Sequence, residues 1–325
     1  MELICPAGNS AAFREAVDAG ADAVYCGFRN ETNARNFPGL NFTRDEFEAA
    51  VAYARSRGVM TFVAINTFMR AGAEALWFQA VDDAVAVGAD AVILADMGLM
   101  AYTADRHPEQ RIHVSVQAAA SNPEAVGFLA DAFQAKRVVL PRVLSLPEVA
   151  KLTASVPVET EVFVFGGMCV MAEGRCSLSS YATGLSPNMN GVCSPASHVR
   201  YAKDGAAMVS ELGGFAIDRF EPGEPAGYPT LCKGRFRAGG EQGHLFEDPI
   251  SLDALDHLDA LREAGVSALK IEGRQRGKAY VAEVVSTIRR ALDAPPSARR
   301  AIVARLRSVS EGQRTTSGAY EKRWR

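Results

Sequence analysis

The sequence predicts a (β/α)8 TIM-like barrel that carries a long cysteine-bearing insertion between its seventh and eighth strands, and three observations lead there. Short, continuous apolar runs alternate with longer stretches that end in Gly, the pattern of parallel strands covered by helices on both faces. The alternation echoes itself, because Glu15–Val24, Asp83–Val92 and Arg262–Leu269 each read as a helix end, a Gly turn and the next strand. Eight such strands can be counted, seven of them spent before Gly166 and the last delayed by roughly a hundred residues. A doubly wound sheet is the alternative with the same local pattern.

In order, Leu3–Cys5 is a short apolar strand and Asn9–Ala19 a helix that ends at Gly20. Ala23–Cys26 is the second strand, and the loop Arg29–Phe42 leads to a helix over Thr43–Arg57 that ends at Gly58. Met60–Ile65 is the third strand, its helix stopping near Val87 and Gly88, and Ala91–Leu94 is the fourth. Gly suits these ends because it reaches the left-handed cap conformation without a Cβ penalty. Strands follow at Ile112–Val116, Arg137–Leu140 and Glu161–Phe165, with helices at Pro123–Ala135 and Ser145–Ser155. After an irregular excursion the eighth strand arrives at Ala268–Ile271, and Lys278–Leu292 is the closing helix.

At 325 residues and 48% apolar, the chain is long enough for one large core or two ordinary domains. The unbroken count favours one barrel over residues 1–295, including the insertion at 166–260, followed by a basic helix and tail over 296–325. Within that tail Arg299–Arg307 reads as a helix and Ser310–Arg325 as a polar arm, either capping the barrel or docking on an acidic partner. The tail from Arg299 holds eight basic and two acidic residues, which leaves the body 27 of the 35 basic and 36 of the 38 acidic side chains. An acidic body argues against a broad nucleic-acid surface. The amino terminus has no basic, apolar, small-residue leader and no apolar run approaches a membrane span, so a cytoplasmic protein is expected.

Chemistry in such a barrel sits where the strands end, which directs attention to Pro6–Asn9, Gly27, Asn66, Asp96, Ser115, Gln117, Arg142, Cys169 and Glu272–Arg274. Any of Asn9, Asp96 and Gln117 serves equally well as a structural hydrogen bonder. Lys270 alternates with Leu269 and Ile271 and so points into the barrel, where a buried ammonium needs a partner; Glu272, on the same phase, can be that partner. The other reading makes Asn66, Gln117, Arg142, Lys270, Glu272 and Arg274 a substrate site, with Arg276 beside them and Asn33 and Arg35 closing over it. Its arginines would grip the carboxylate of a small anion by bidentate contacts. Conventional catalysts are scarce. His107 and His257 read as surface positions, His113 as a packed core residue, and no two of the five histidines have metal-ligand spacing. No Ser stands in a nucleophile elbow and no Gly-rich loop would cradle phosphate, so hydrolase and nucleotide-dependent readings lose ground.

Four of the six cysteines, Cys169, Cys176, Cys193 and Cys232, fall inside the insertion, separated by six, sixteen and thirty-eight residues. Cys169 lies just beyond the seventh strand, and the others sit in turns beside Gly, Pro, Ser, Lys or Arg, unlike buried structural cysteines. In a reducing compartment the group favours metal over disulfide. Zinc prefers paired short spacings and iron–sulfur clusters accept long irregular ones, so a [4Fe-4S] cluster on these four thiolates is preferred to a zinc staple. Cys5 and Cys26 end the first two strands and read as small core residues.

The phrases Phe165-Gly166-Gly167-Met168-Cys169, Gly174-Arg175-Cys176-Ser177-Leu178-Ser179, Gly191-Val192-Cys193, Cys232-Lys233-Gly234-Arg235 and Leu269 through Arg276 resemble the collagenase-like peptidase U family. The resemblance runs from Met1 into the Thr315–Trp324 segment and is strongest to the ubiquinone-biosynthesis branch. No matched motif supplies a proteolytic constellation, so peptidase activity is not expected. The resemblance implies an oxygen-independent hydroxylase subunit holding a [4Fe-4S] cluster and acting on the ubiquinone precursor ring. It also implies a heterodimer with a homologous, UbiV-like subunit, a lipid-carrier accessory protein, and prephenate as a dicarboxylate reactant. Two rival readings remain: a prephenate-dependent RNA hydroxylase of the same family, whose members generally carry a carboxyl-terminal extension that 325 residues do not hold, and a non-catalytic scaffold stapled by its metal.

Overall fold

A computed structural model describes residues 1–169, 171, 173–311 and 314–321. The first half alternates strictly: β1 Glu2–Pro6, α1 Ser10–Asp18, β2 Ala23–Cys26, α2 Arg44–Arg55, β3 Met60–Ile65, α3 Ala75–Ala86, β4 Ala91–Leu94, α4 Met97–Arg106 and β5 Ile112–Val114. It continues through α5 Pro123–Phe133, β6 Arg137–Val139, α6 Leu146–Ser155 and β7 Glu159–Gly167. The insertion holds α7 Leu178–Thr183, β8 Val199–Asp204, β9 Ala207–Leu212, β10 Phe215–Phe220, β11 Arg235–Ala238, β12 Glu241–His244 and β13 Ser251–Asp253. Then come α8 Leu258–Glu263, β14 Ala268–Ile271, α9 Lys278–Asp293, α10 Pro296–Val303 and β15 Thr315–Thr316.

Strands β1 to β7 pair in parallel and in sequence, and β14 closes the ring by pairing with both β1 and β7. The fold is therefore the closed eight-stranded parallel barrel with intervening helices that the alternation predicts. Inside, Ile4, Tyr25, Phe62, Ala64, Ile93 and Ala268 form a separate apolar layer, while the larger core lies between sheet and helices. On α9, Val281, Val284, Val285, Ile288 and Ala291 are buried, the spacing of a single helical stripe turned onto the barrel.

Three parts of the sequence reading change. A helix stands between the fourth and fifth strands where none was read; Asp96 caps it by accepting from the Leu99 N–H at 3.0 Å, and also accepts from Met69 N–H at 3.2 Å. The insertion is not an irregular excursion: β8, β9 and β10 form an antiparallel sheet, β11 and β12 a hairpin, and β13 returns antiparallel to the end of β7. Two Gly pairs build its turns, Gly213-Gly214 at φ 59° and 84° and Gly239-Gly240 at 59° and 88°. Two successive positive φ values match the turn to the twist of the flanking strands. Finally, the described part of the tail is not a free arm. Arg299 pairs with Asp259 at 2.7 Å, Leu306 is buried, β15 pairs with β13, and the Tyr320 hydroxyl donates to the Phe163 carbonyl at 2.7 Å. Gly312, Gln313 and the arm's end, 322–325, lie outside the described residues. No helix among the described residues is long and apolar enough to cross a membrane.

His113 is a core residue as read, its Nε2 accepting from Arg111 Nε at 2.9 Å and its ring set edge-on to Phe62 at 4.7 Å. Burial, and then the charges of Arg137 and Arg111, hold its pKa well below the ordinary 6.5. The unfolded chain thus takes up a proton that the folded chain refuses. Stability is intact above pH 6.5 and falls as the pH drops below it, by up to about 1.4 kcal/mol per pH unit. Urea midpoints measured across this range check the effect; His113→Phe should flatten that part of the slope, and an unchanged slope would contradict the assignment. His107 and His257 are half-buried rather than at the surface, paired with Asp82 at 2.7 Å and Glu321 at 3.3 Å.

Candidate functional site

The carboxyl ends of the strands surround a small open pocket, about 40 Å³, lined among others by Tyr25, Arg35, Asn66, Ser115, Gln117, Arg142, Phe163, Lys270, Glu272 and Arg274. All six residues read as substrate-binding from the sequence therefore share one cavity. Asn9 and Asp96 do not; each caps a helix. Arg276 is exposed, its guanidinium over the Tyr280 ring at 5.3 Å, and it leaves the cluster.

The partners differ from those expected. Lys270 does not pair with Glu272: its Nζ donates to Glu161 Oε1 at 2.5 Å and sits 4.0 Å from the centre of the Tyr25 ring. Glu161, buried on β7, accepts on its other oxygen from Arg137 at 3.2 Å, and Arg137 continues to Glu2 and Glu159, each at 2.6 Å. An ionic chain thus descends the barrel from the pocket floor. Burial lowers the Lys270 pKa, with Glu161 opposing it.

Glu272 instead binds Arg35, Nε to Oε1 at 3.0 Å, and the Arg35, Arg142 and Arg274 charges overcome its burial to hold its carboxyl below the usual range. Arg142 donates to Glu173 at 2.8 Å and to the Gly167 carbonyl at 2.6 Å, with its guanidinium 3.9 Å from the Phe163 ring centre. Arg274 is 3% exposed and donates to Asn33 Oδ1 at 3.1 Å; among the described residues no carboxylate stands within ion-pairing distance of it. A buried guanidinium without a carboxylate is costly unless an anion visits it. Asn66 is fixed by accepting from Ala34 N–H at 3.0 Å and donating to Ser115 Oγ at 3.1 Å. Among the described residues the Gln117 side-chain carbonyl has no partner.

The cysteine insertion is pressed against this rim. Gly174, at φ 77°, would put a Cβ 1.8 Å from the Gln117 carbonyl oxygen, and Gly191, at φ 76°, one 2.0 Å from that of Asn33. Backbone hydrogen bonds tie the same loops together: Asn36 N–H donates to Gly191 O at 3.1 Å and Phe68 N–H to Asn188 O at 2.9 Å. Cys169, Cys176, Cys193 and Cys232 are partly buried, whereas Cys5 and Cys26 are core residues whose thiols burial pushes up. The four insertion thiols lie within electrostatic reach of one another. Burial and then the negative charge of Cys169 push Cys232 up to about 12, with Cys193 and Cys176 adding to it, and Cys176 likewise acts on Cys193. No three His, Cys, Asp or Glu side chains among the described residues are near enough to hold a single metal ion. The donor set is all sulfur, and four thiolates are the number a cubane takes, one on each of its four irons.

Tyr25, Glu161 and Glu173 were missed in the sequence reading. Tyr25 alternates inward on β2 on the same phase as Ala23, and Glu161 on β7 with Phe163, so strand alternation was the available signal for both. Glu173 had none.

Over residues 8–323 the sequence matches the family model described as peptidase family U32. The chain belongs to this family. Among U32 relatives it is 32% identical to the tRNA hydroxylation protein P of Escherichia coli, over 90% of this chain and 68% of that one. It is 29% identical to the 23S rRNA 5-hydroxycytidine C2501 synthase of the same organism, over 90% of this chain and 39% of that one. It is 26% identical to a collagenase of Porphyromonas gingivalis, over 90% and 66%. This U32 chain thus spans about two thirds or less of the length of these relatives.

Proposed function

We propose that this chain is a hydroxylase, or the iron–sulfur subunit of one, that oxidises an aromatic ring without molecular oxygen at the arginine-lined mouth of the barrel. The observation that carries the reading is adjacency: a pocket bearing Arg35, Arg142, Lys270 and Arg274 lies directly against the four-cysteine insertion. Cys169, Cys176, Cys193 and Cys232 would hold a [4Fe-4S] cluster, which supplies one-electron redox chemistry when bound. Arg274, and Arg142 beside it, would take the carboxylates of a small diacid such as prephenate. Lys270 is the pocket cation able to exchange a proton, because a guanidinium stays charged throughout the accessible pH range. Glu161 keeps its ammonium directed at the floor.

The names of the relatives favour a pyrimidine base of RNA as the ring, and support it better than they support a quinone. A second reading, the ubiquinone precursor ring with a UbiV-like partner, is favoured by the acidic body and by the cysteine phrases noted above. Anaerobic growth of a deletion strain separates them by mass spectrometry of digested RNA and of extracted quinones. Loss of a hydroxylated uridine or cytidine supports the first, and loss of ubiquinone with intact nucleosides the second. Normal levels of both would overturn the hydroxylase reading.

A further inference from the structure

We infer that Arg35 couples the anion pocket to the four-cysteine centre, its single guanidinium charge being shared by Glu272 on one side and by the thiolate group on the other. The inference rests on the cluster reading above. Arg35 belongs to the loop after β2, and its Nε donates to Glu272 at 3.0 Å while another guanidinium N–H donates to its neighbour's carbonyl, Ala34 O, at 2.7 Å. The loop is clamped to the Cys193 segment from both sides of that arginine. Asn33 packs its carbonyl against Gly191, and Asn36 N–H donates to the Gly191 carbonyl at 3.1 Å, two residues before Cys193.

Burial opposes the charge of Arg35, but Glu272, Cys193 and Cys169 more than offset it and hold its pKa above the ordinary value. The same guanidinium lines the pocket. Arg142 also acts on both Glu272 and Cys169, with Glu173 and the Gly167 carbonyl as its hydrogen-bond partners, so Arg35 is one of two arginines between pocket and centre and the one bound to Glu272 directly. Coupling of this kind is reciprocal: what the pocket does to Arg35 is felt at the centre, and the charge of the centre is felt in the pocket. Reduction makes the centre more negative, so a nearby fixed cation favours the reduced form and a nearby carboxylate disfavours it.

The test is a redox titration of the anaerobically loaded full chain, followed by electron paramagnetic resonance, for the wild type, Arg35→Gln, Arg35→Lys, Glu272→Gln and, as a control on the exposed face of α8, Arg262→Gln. Arg35→Gln should lower the reduction equilibrium constant about tenfold, which is about 59 mV for a one-electron couple. Glu272→Gln should raise the reduction equilibrium constant severalfold, and Arg35→Lys and Arg262→Gln should stay near the wild type. If Arg35→Gln fails to load iron, Glu272→Gln, which keeps the arginine, decides alone. Full iron and sulfide with potentials indifferent to both substitutions would overturn the coupling and leave the functional reading standing. A wild-type chain that takes up no iron and sulfide would instead sink the reading beneath it.

Discussion

Replacing Cys193 by Ala is expected to remove the bound iron and sulfide and to cut anaerobic hydroxylated product by at least roughly 100-fold, since even the loss of a hydrogen-bond partner of a metal ligand costs ~10–100-fold. The same result is expected at Cys169, Cys176 and Cys232, and not at Cys5 or Cys26, which are core residues of β1 and β2. Circular dichroism and thermal unfolding of each variant decide what the loss means. A metal-stapled scaffold predicts that the variants fail because they unfold. The barrel, however, closes through β14, β1 and β7 without any contribution from the segment between Cys169 and Cys232. A folded barrel lacking product therefore supports a chemical role for the centre, and normal product in Cys193→Ala would remove it from the account.

Glu161→Ala should produce the largest loss of stability of any single substitution in the barrel interior. The carboxylate is fully buried and accepts from Lys270 and Arg137, so its removal strands the Lys270 ammonium over the Tyr25 ring with no counter-ion. Breaking a buried ion pair by deleting one partner costs ~3–5 kcal/mol, whereas replacing both partners by apolar residues is often neutral. Chemical denaturation should accordingly show a loss of that order for Glu161→Ala and substantial recovery in Glu161→Leu with Lys270→Met. A loss below about 1 kcal/mol for the single change would mean that water or Glu272 compensates Lys270.

Both expectations depend on partners that the sequence does not display. Strand alternation placed Lys270 inside the barrel correctly, because side-chain phase is a local property of an extended backbone. It could not choose between Glu272, two residues away on the same phase, and Glu161, which the β7–β14 pairing brings alongside from more than a hundred residues earlier. Arg276 follows the same two-residue phase as Glu272 and Arg274, yet the strand ends at Ile271 and the chain turns outward, so alternation stops being informative there. The four cysteines were legible by position, and the glycines that press their loops onto the rim were visible as turn signals; the surfaces those loops touch were not. Within the insertion, Gly213-Gly214 and Gly239-Gly240 are hairpin signals in plain view. Around Gly239-Gly240 the signal is weakened because β11 and β12 are largely polar and so carry little of the apolar pattern that identifies the barrel strands.

The measurement that bears most directly on the account is the iron, sulfide and zinc content of the chain purified without oxygen, with electron paramagnetic resonance before and after dithionite. About four iron and four sulfide per chain are expected, with a signal that changes on reduction. One zinc, no sulfide and no redox response would contradict it, leaving the cysteines as a staple and the arginine-lined pocket as a site without redox chemistry.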